Sequence, residues 1–183
     1  NKFHISNLER KIEKTKAFLI NPLEINIKNF SGKHFKTLAV NEISLLRQSR
    51  QTAILTLKVN NKELIKKLVG DGVLISTPAG STAYNLSVHG PILSLDSRKL
   101  AVTPISPFRP RRWKGKILSN NAKIIIKNLD PNKRPISAVA DNYEIRNIRS
   151  VKIKANKKIH FKILFSSSES LIKKIRSEQT RIS

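Results

Sequence analysis

The sequence predicts a mainly β protein: an antiparallel β-sandwich-like domain with a helix near each end. Three observations carry that expectation. Apolar content is dominated by Ile, Leu and Val, with only one Trp and two Tyr. Apolar and polar residues alternate through much of the chain. The alternating segments are short, and turn residues separate them.

The elements follow in order. Ser6 to Leu19 has helical spacing, with Leu8, Ile12, Ala17 and Leu19 on one face and Glu9, Arg10, Lys11, Glu13, Lys14 and Lys16 on the other. Asn21-Pro22 ends it. Leu23, Ile25 and Ile27 then alternate with Glu24, Asn26 and Lys28, which predicts a half-buried strand. After a turn at Ser31-Gly32-Lys33, one strand is expected from Leu38 to Leu46. Another runs from Ala53 to Val59, and Asn60-Asn61 suits a hairpin into Glu63–Val69. Val73–Ser76 is short, apolar and expected to be buried. Ala101–Ile105 contains Pro104, which makes it an edge or ending strand. Segments 123–128, 136–140, 151–154 and 159–165 complete the strands, with a turn at Asp141-Asn142. Ser168 to Ile175 reads as a closing helix.

The chain has 183 residues, enough to bury a substantial core. It carries 36 basic and 12 acidic residues, a formal net charge of +24. That charge suits a polyanion or nucleotide phosphates, and it equally suits a Lys-, Asn- and Ile-rich composition bias. There is no cysteine, hence no disulfide and no thiolate zinc site. The four histidines are scattered and no carboxylates cluster, so no metal site is expected on this chain. No apolar run approaches the roughly 20 residues of a membrane span, and a cytoplasmic protein is the expectation. The chain begins at Asn1 rather than Met, which reads as a piece of a longer protein.

The segment from Gly70 to Tyr84, GDGVLISTPAGSTAY, carries the chemistry. A strand ends in small and hydroxyl-bearing residues that open a short helix, where free N–H groups favour an anion. A plain strand–turn–helix corner with a capping Ser fits the same residues. No Gly-Lys-Ser/Thr follows, which excludes a P-loop, and Ser81 lacks the Gly-x-Ser-x-Gly setting of a hydrolase elbow. Asn41 and Glu42 set an amide and a carboxylate among apolar neighbours. A carboxylate can accept two ribose hydroxyls, and an amide can read an adenine edge. Asp71 and Asp141-Asn142 are readable as turn chemistry alone. The basic loop Arg109, Arg111, Arg112, Trp113 suits phosphate contact or plain solvation, so a basic nucleic-acid-binding β module is the alternative function.

Val40-Asn41-Glu42-Ile43, the Gly70–Ser87 segment, Gly90-Pro91-Ile92-Leu93, Leu100–Pro107 and Ala138-Val139-Ala140-Asp141 together resemble bacterial NAD kinase, in order and over nearly the whole chain. The resemblance implies phosphoryl transfer from ATP, or from polyphosphate in some members, to the 2′-hydroxyl of the adenosine ribose of NAD, giving NADP with Mg²⁺. It implies that Asn41 and Glu42 bind ribose and adenine groups, and that Ala79, Thr82, Ala83, Tyr84, Asn85, Leu86 and Ser87 line the NAD pocket. Ala79 stands where other members often carry Thr or Ser. Asp71 and Asn142 would close the site, from a neighbouring subunit of a homo-oligomer (dimer or tetramer). The family's Gly-Gly-Asp-Gly motif, whose aspartate is the proposed base, does not occur in this sequence. The resemblance therefore divides the chain into a remnant linking helix (1–21), a β-rich NAD-binding domain (22–165) and a closing helix and tail (166–183). It places no catalytic residue here, and this part alone is expected to bind NAD without phosphorylating it.

Overall fold

The computed structural model describes residues 8–166, so the expected helix at Ser168–Ile175 lies outside the described residues. Among these described residues, fourteen strands form three antiparallel sheets. They are β1 (Thr15–Ile20), β2 (Leu23–Asn29), β3 (His34–Ala39), β4 (Glu42–Arg47), β5 (Ala53–Val59), β6 (Lys62–Gly70) and β7 (Gly72–Ser76). After the corner come β8 (Lys99–Ile105), β9 (Lys116–Ser119), β10 (Ile124–Asn128), β11 (Ile136–Ala140), β12 (Tyr143–Ile145), β13 (Ile148–Ala155) and β14 (Phe161–Ser166). Helix α1 spans Leu8–Glu13; a 3-10 turn at Gly80–Thr82 leads into α2, Tyr84–Ser87.

One six-stranded sheet has the order β3-β2-β13-β10-β5-β6, the other β12-β11-β4-β7-β8-β9. Their facing sides meet in one core. Leu23, Ile25, Ile27, Leu55, Leu57, Ile124, Ile126, Val151 and Ile153 come from the first sheet, and Ile43, Leu45, Val73, Ile75, Val102, Ile136 and Ala138 from the second. Every second residue of these strands points inward, as the period of two requires. The expected sandwich is therefore the observed fold. Asn60 and Asn61 both take positive φ, 50° and 66°, the geometry of a type I′ hairpin between β5 and β6.

Several boundaries differ from expectation. The amino-terminal helix stops at Glu13 rather than Leu19. Residues Thr15 to Ile20 pair with Phe161–Ser166 of β14 instead, from Thr15↔Ser166 to Ile20↔Phe161. Helical periodicity in the first segment could not register a partner strand about 145 residues away. The helical face never forms a buried stripe, since Leu8, Ile12 and Leu19 remain exposed.

The single strand expected over 38–46 is two. β3 ends at Ala39 in the first sheet and β4 starts at Glu42 in the second, so Val40-Asn41 is the crossing between layers. Strands β9 and β12 have no counterpart in the sequence reading, being only four and three residues long. Pro104 sits inside β8, but β9 pairs only as far as Val102. The proline therefore occupies a stretch with a neighbour on one side, Val73 of β7. No helix among the described residues is long and apolar enough to cross a membrane.

Leu57 is fully buried and pairs with Ile126 of β10 in the first six-stranded sheet. Leu57→Ala is expected to cost about 2–5 kcal/mol, as cavity-forming substitutions do, read by urea unfolding. A loss under about 1 kcal/mol would mean that the sheets do not close over this position.

Candidate functional site

The crossing at Val40-Asn41 is where the site is assembled. Glu42 opens β4 and pairs with Ser76, the last residue of β7. Just beyond that pair, the two chains remain joined. Thr77 N–H donates to the Asn41 carbonyl at 2.9 Å, and Thr77 Oγ1 donates to the Val40 carbonyl at 2.7 Å. Gly80 N–H in turn donates to Thr77 Oγ1 at 3.2 Å. The approach is so close that a Cβ built on Gly80 would lie 2.2 Å from the Asn41 carbonyl oxygen. Glycine at this position is a matter of space.

A third segment completes the junction. Asp141, at positive φ in the β11–β12 turn, presents its carboxylate to three consecutive backbone N–H groups. Oδ2 accepts from Val40 at 2.7 Å; Oδ1 accepts from Asn41 at 2.9 Å and Glu42 at 3.2 Å. Asp141 N–H donates back to the Glu42 carbonyl at 3.1 Å. The resemblance points to Asn142, and from its sequence alone Asp141 reads as turn chemistry. The scarcity of acids in the chain was the signal available for it.

Within this frame the Glu42 side chain is half-buried, and its Oε2 is shut off from water without a hydrogen-bond partner among the described residues. Burial pushes its carboxyl above the ordinary value, and the nearby negative charge of Asp141 adds to the effect. The Asn41 side chain, by contrast, is exposed.

The corner after β7 is held by its own polar groups. Ser81 is fully buried; its Oγ donates to the Pro78 carbonyl at 2.7 Å and accepts from Leu93 N–H at 3.0 Å. Asn85 is also fully buried. Its Nδ2 donates to the carbonyls of Ser81 (3.2 Å) and Pro91 (2.9 Å), and its Oδ1 accepts from Thr103 Oγ1 at 2.7 Å. Asn85 thus fastens α2 to the outer face of the second sheet. The groups left facing outward are Ala83, Tyr84 and Ser87, with Ala79, Thr82 and Leu86 half-buried.

Asp71 and Tyr84 stand at the other end of the same strands. They share a shallow cavity of about 550 Å³ with Arg47 and Arg50. Asp71 Oδ1 accepts from Arg47 Nε at 2.5 Å. Glu42 and Leu46, which pair with Ser76 and Gly72, mark the two ends of the β4–β7 ladder. Four residues of strand separate them, roughly 13 Å. The corner starts against Asn41 and reaches toward the Asp71 cavity at Tyr84. The structure therefore brings Asn41, Glu42, Ala79 and the Asp141-Asn142 turn to one end, and Asp71 with Tyr84 to the other.

Two outcomes follow from this geometry. Asp141→Ala removes a charged acceptor from three amides and is expected to destabilise by on the order of 2 kcal/mol, with faster amide exchange at Val40, Asn41 and Glu42. Unchanged exchange there would show that the crossing holds itself. For Glu42 the folded-state value is raised, so the folded form binds more protons and stability declines as pH rises through that window. Glu42→Gln is accordingly expected to unfold at higher urea than the parent at pH 7, with the gap closing below the ordinary carboxylate range. A gap that widens on acidification would contradict the assigned environment.

Residues 40–163 match the ATP-NAD kinase C-terminal domain family. The NAD kinase of Zymomonas mobilis is 46% identical over 182 residues, which is 100% of this chain and 70% of that protein. The NAD kinase of Xanthomonas oryzae is 45% identical over 173 residues, 94% of this chain and 67% of that one. Among solved structures, yeast NADH kinase complexed with NADH aligns with a TM-score of 0.84 at 22% identity, covering 100% of this chain and 56% of that chain. An Archaeoglobus fulgidus NAD kinase in complex with ATP aligns with a TM-score of 0.72 at 24% identity, covering 94% and 65%. At those identities the structures speak for the fold alone. The sequence match, which includes both the crossing at Asn41-Glu42 and the corner packed against it, shows that this chain belongs to the ATP-NAD kinase family as a carboxy-terminal domain.

Proposed function

We propose that this chain supplies the NAD-binding part of an enzyme that phosphorylates the 2′-hydroxyl of the adenosine ribose of NAD. The 2′-oxygen attacks the terminal phosphorus of ATP or polyphosphate, and the bond to the bridging oxygen breaks. The shortened donor leaves with the electron pair, and the hydroxyl proton passes to a base. The sequence lacks Gly-Gly-Asp-Gly, so we assign binding and orientation to these residues and leave proton abstraction to another part of the enzyme.

The observation that carries this reading is the unpartnered Oε2 of Glu42. A buried acceptor without a donor is costly, and a ligand hydroxyl would supply one. The ionised carboxylate can accept from two hydroxyls of one ribose, while the exposed Asn41 amide lies beside it for an adenine edge or a further hydroxyl. Thr82, Ala83, Tyr84 and Ser87 extend along the corner, and Tyr84 offers a ring for stacking. Phosphoryl transfer of this kind depends chiefly on such positioning and on charge neutralisation.

Asp71 lies roughly 13 Å along the ladder from Glu42, which supports its serving the site of a neighbouring protomer in a homo-oligomer. The exposed Leu8, Ile12, Leu19, Phe161 and Leu164, at α1 and the β1–β14 ribbon, support packing of the remaining length of the kinase against that side. The described residues contain no group of three or more His, Cys, Asp or Glu able to hold a metal ion, and the Asp141 carboxylate is engaged with amides. These residues do not fit a Mg²⁺ site, and no step is assigned to one here.

Titration calorimetry with NAD tests the proposal. Glu42→Ala is expected to weaken binding by about 1–3 kcal/mol, the scale of charge-assisted hydrogen bonds. Because the ionised form accepts the hydroxyls, affinity should fall on acidification, beginning above the ordinary carboxylate range, and Glu42→Gln should flatten that dependence. Equal NAD affinity in the parent and in Glu42→Ala would end this reading.

A further inference from the structure

The outer face of the first six-stranded sheet carries charge that the NAD site does not use. Strand register sets Lys36, Asn26 and Lys152 side by side across β3, β2 and β13, with Lys58 two strands further on. One step along, Glu24 lies between Leu38 and Lys154. Like charges gathered on neighbouring strands are unfavourable unless something offsets them.

Glu24 offsets only part. It is 6% exposed, and its carboxylate meets Lys36 Nζ at 3.2 Å and Lys154 Nζ at 3.4 Å. Asn156 Nδ2 donates to it at 3.1 Å. Burial opposes its ionisation, yet the Lys36, Asn26 and Lys154 contacts together hold its carboxyl below the ordinary value. Glu24 is therefore an ionised anchor that fixes two ammonium groups.

Those two groups edge a cavity of about 500 Å³ that Lys123, Lys157 and Lys158 also line. None of these three has an acid within 4.0 Å among the described residues, and the backbones of Lys123 and Lys158 are held. Asn60 Oδ1 accepts from Lys123 N–H at 2.9 Å, and Asn156 Oδ1 accepts from Lys158 N–H at 2.9 Å. Five lysines thus surround one carboxylate, with the amides of Asn120, Asn121 and Asn156 as further donors. The lining has no aromatic ring to stack a base and no guanidinium fork for a planar carboxylate. Compact ammonium groups around a small cavity suit a charge-dense anion with several oxygens.

We propose that this cavity binds an oligophosphate, two or three linked phosphoryl groups, either free or as the tail of a nucleotide. The site stands on the Glu24–lysine geometry and does not depend on NAD binding at Glu42. It is distinct from diffuse attraction of a polyanion to a basic protein, because Glu24 places Lys36 and Lys154 while the turns on either side hold the backbones of Lys123 and Lys158.

Calorimetric titration of the chain with sodium tripolyphosphate, free of divalent cations, tests this. Saturable binding at one site per chain is expected, weakened about tenfold by Lys123→Ala/Lys157→Ala. The charge-matched pair Lys66→Ala/Lys67→Ala, on the far edge strand β6, should change it less than twofold. ATP binding that is weakened by the same lysine pair, with AMP failing to bind, assigns the phosphate chain as the ligand whichever its source. Glu42→Ala should leave the tripolyphosphate titration unchanged, which separates this site from the NAD site. Equal losses in the two lysine pairs, non-saturating heats, or duplex DNA competing with equal sensitivity to both pairs would overturn the proposal in favour of non-specific charge attraction.

Discussion

The three hydrogen bonds that Asp141 accepts from Val40, Asn41 and Glu42 are the constraint on which the site depends. A chain that leaves one sheet and enters the other must turn its amides away from both ladders. Those N–H groups need acceptors, since a buried or strained amide left unpaired is costly. A single carboxylate meets all three, and charge-assisted bonds are stronger than neutral ones. The result is that the Glu42 side chain has a fixed origin. Thr77 and Gly80 then close on the carbonyl side of the same crossing, so both edges of Val40-Asn41 are held.

The corner shows the same economy in another form. Its most prominent polar residues, Ser81 and Asn85, are spent on structure. Each is fully buried, with its polar atoms engaged inside the fold. A saturated buried network specifies one geometry because any alternative leaves a polar atom unpaired. The rigid part of the motif is therefore inside, and Thr82, Ala83, Tyr84 and Ser87, the contact groups we propose for NAD, ride on it. Gly90 belongs to the same arrangement, for a Cβ there would lie 2.1 Å from Asn85 Oδ1.

How much of this was legible beforehand follows from range. Period-two alternation identified β2, β5 and β11 with their bounds nearly correct, because each strand buries one face and the pattern is local. Asn60-Asn61 was legible for the same reason: its conformation is decided by its own two residues. β1 was not, since Thr15–Ile20 becomes a strand only through β14. The break at Val40-Asn41 was hidden because the apolar residues on either side, Leu38 and Ala39 and then Ile43 and Leu45, continue without interruption while serving different sheets. At the site, motif content named Asn41, Glu42 and the corner. The role of Asp141 required knowing that a turn about 100 residues away folds onto the crossing.

Glu24 and Glu42 make the functional argument sharpest. They are the same residue type in a chain with 36 basic residues, where a carboxylate has many cations to choose from. Glu24 is met by two lysines and two amides, and its carboxyl is held below the ordinary value. Glu42 has no ion pair among the described residues, faces the charge of Asp141, and its carboxyl is raised. Stability alone would favour giving Glu42 a lysine as well, for an uncompensated half-buried charge lowers the stability of the fold. A carboxylate already neutralised by an ammonium group would, however, compete poorly for ligand hydroxyls. An acceptor kept open at a rigid strand end, within a protein so rich in cations, is what a site for a neutral hydroxyl-bearing group such as ribose requires.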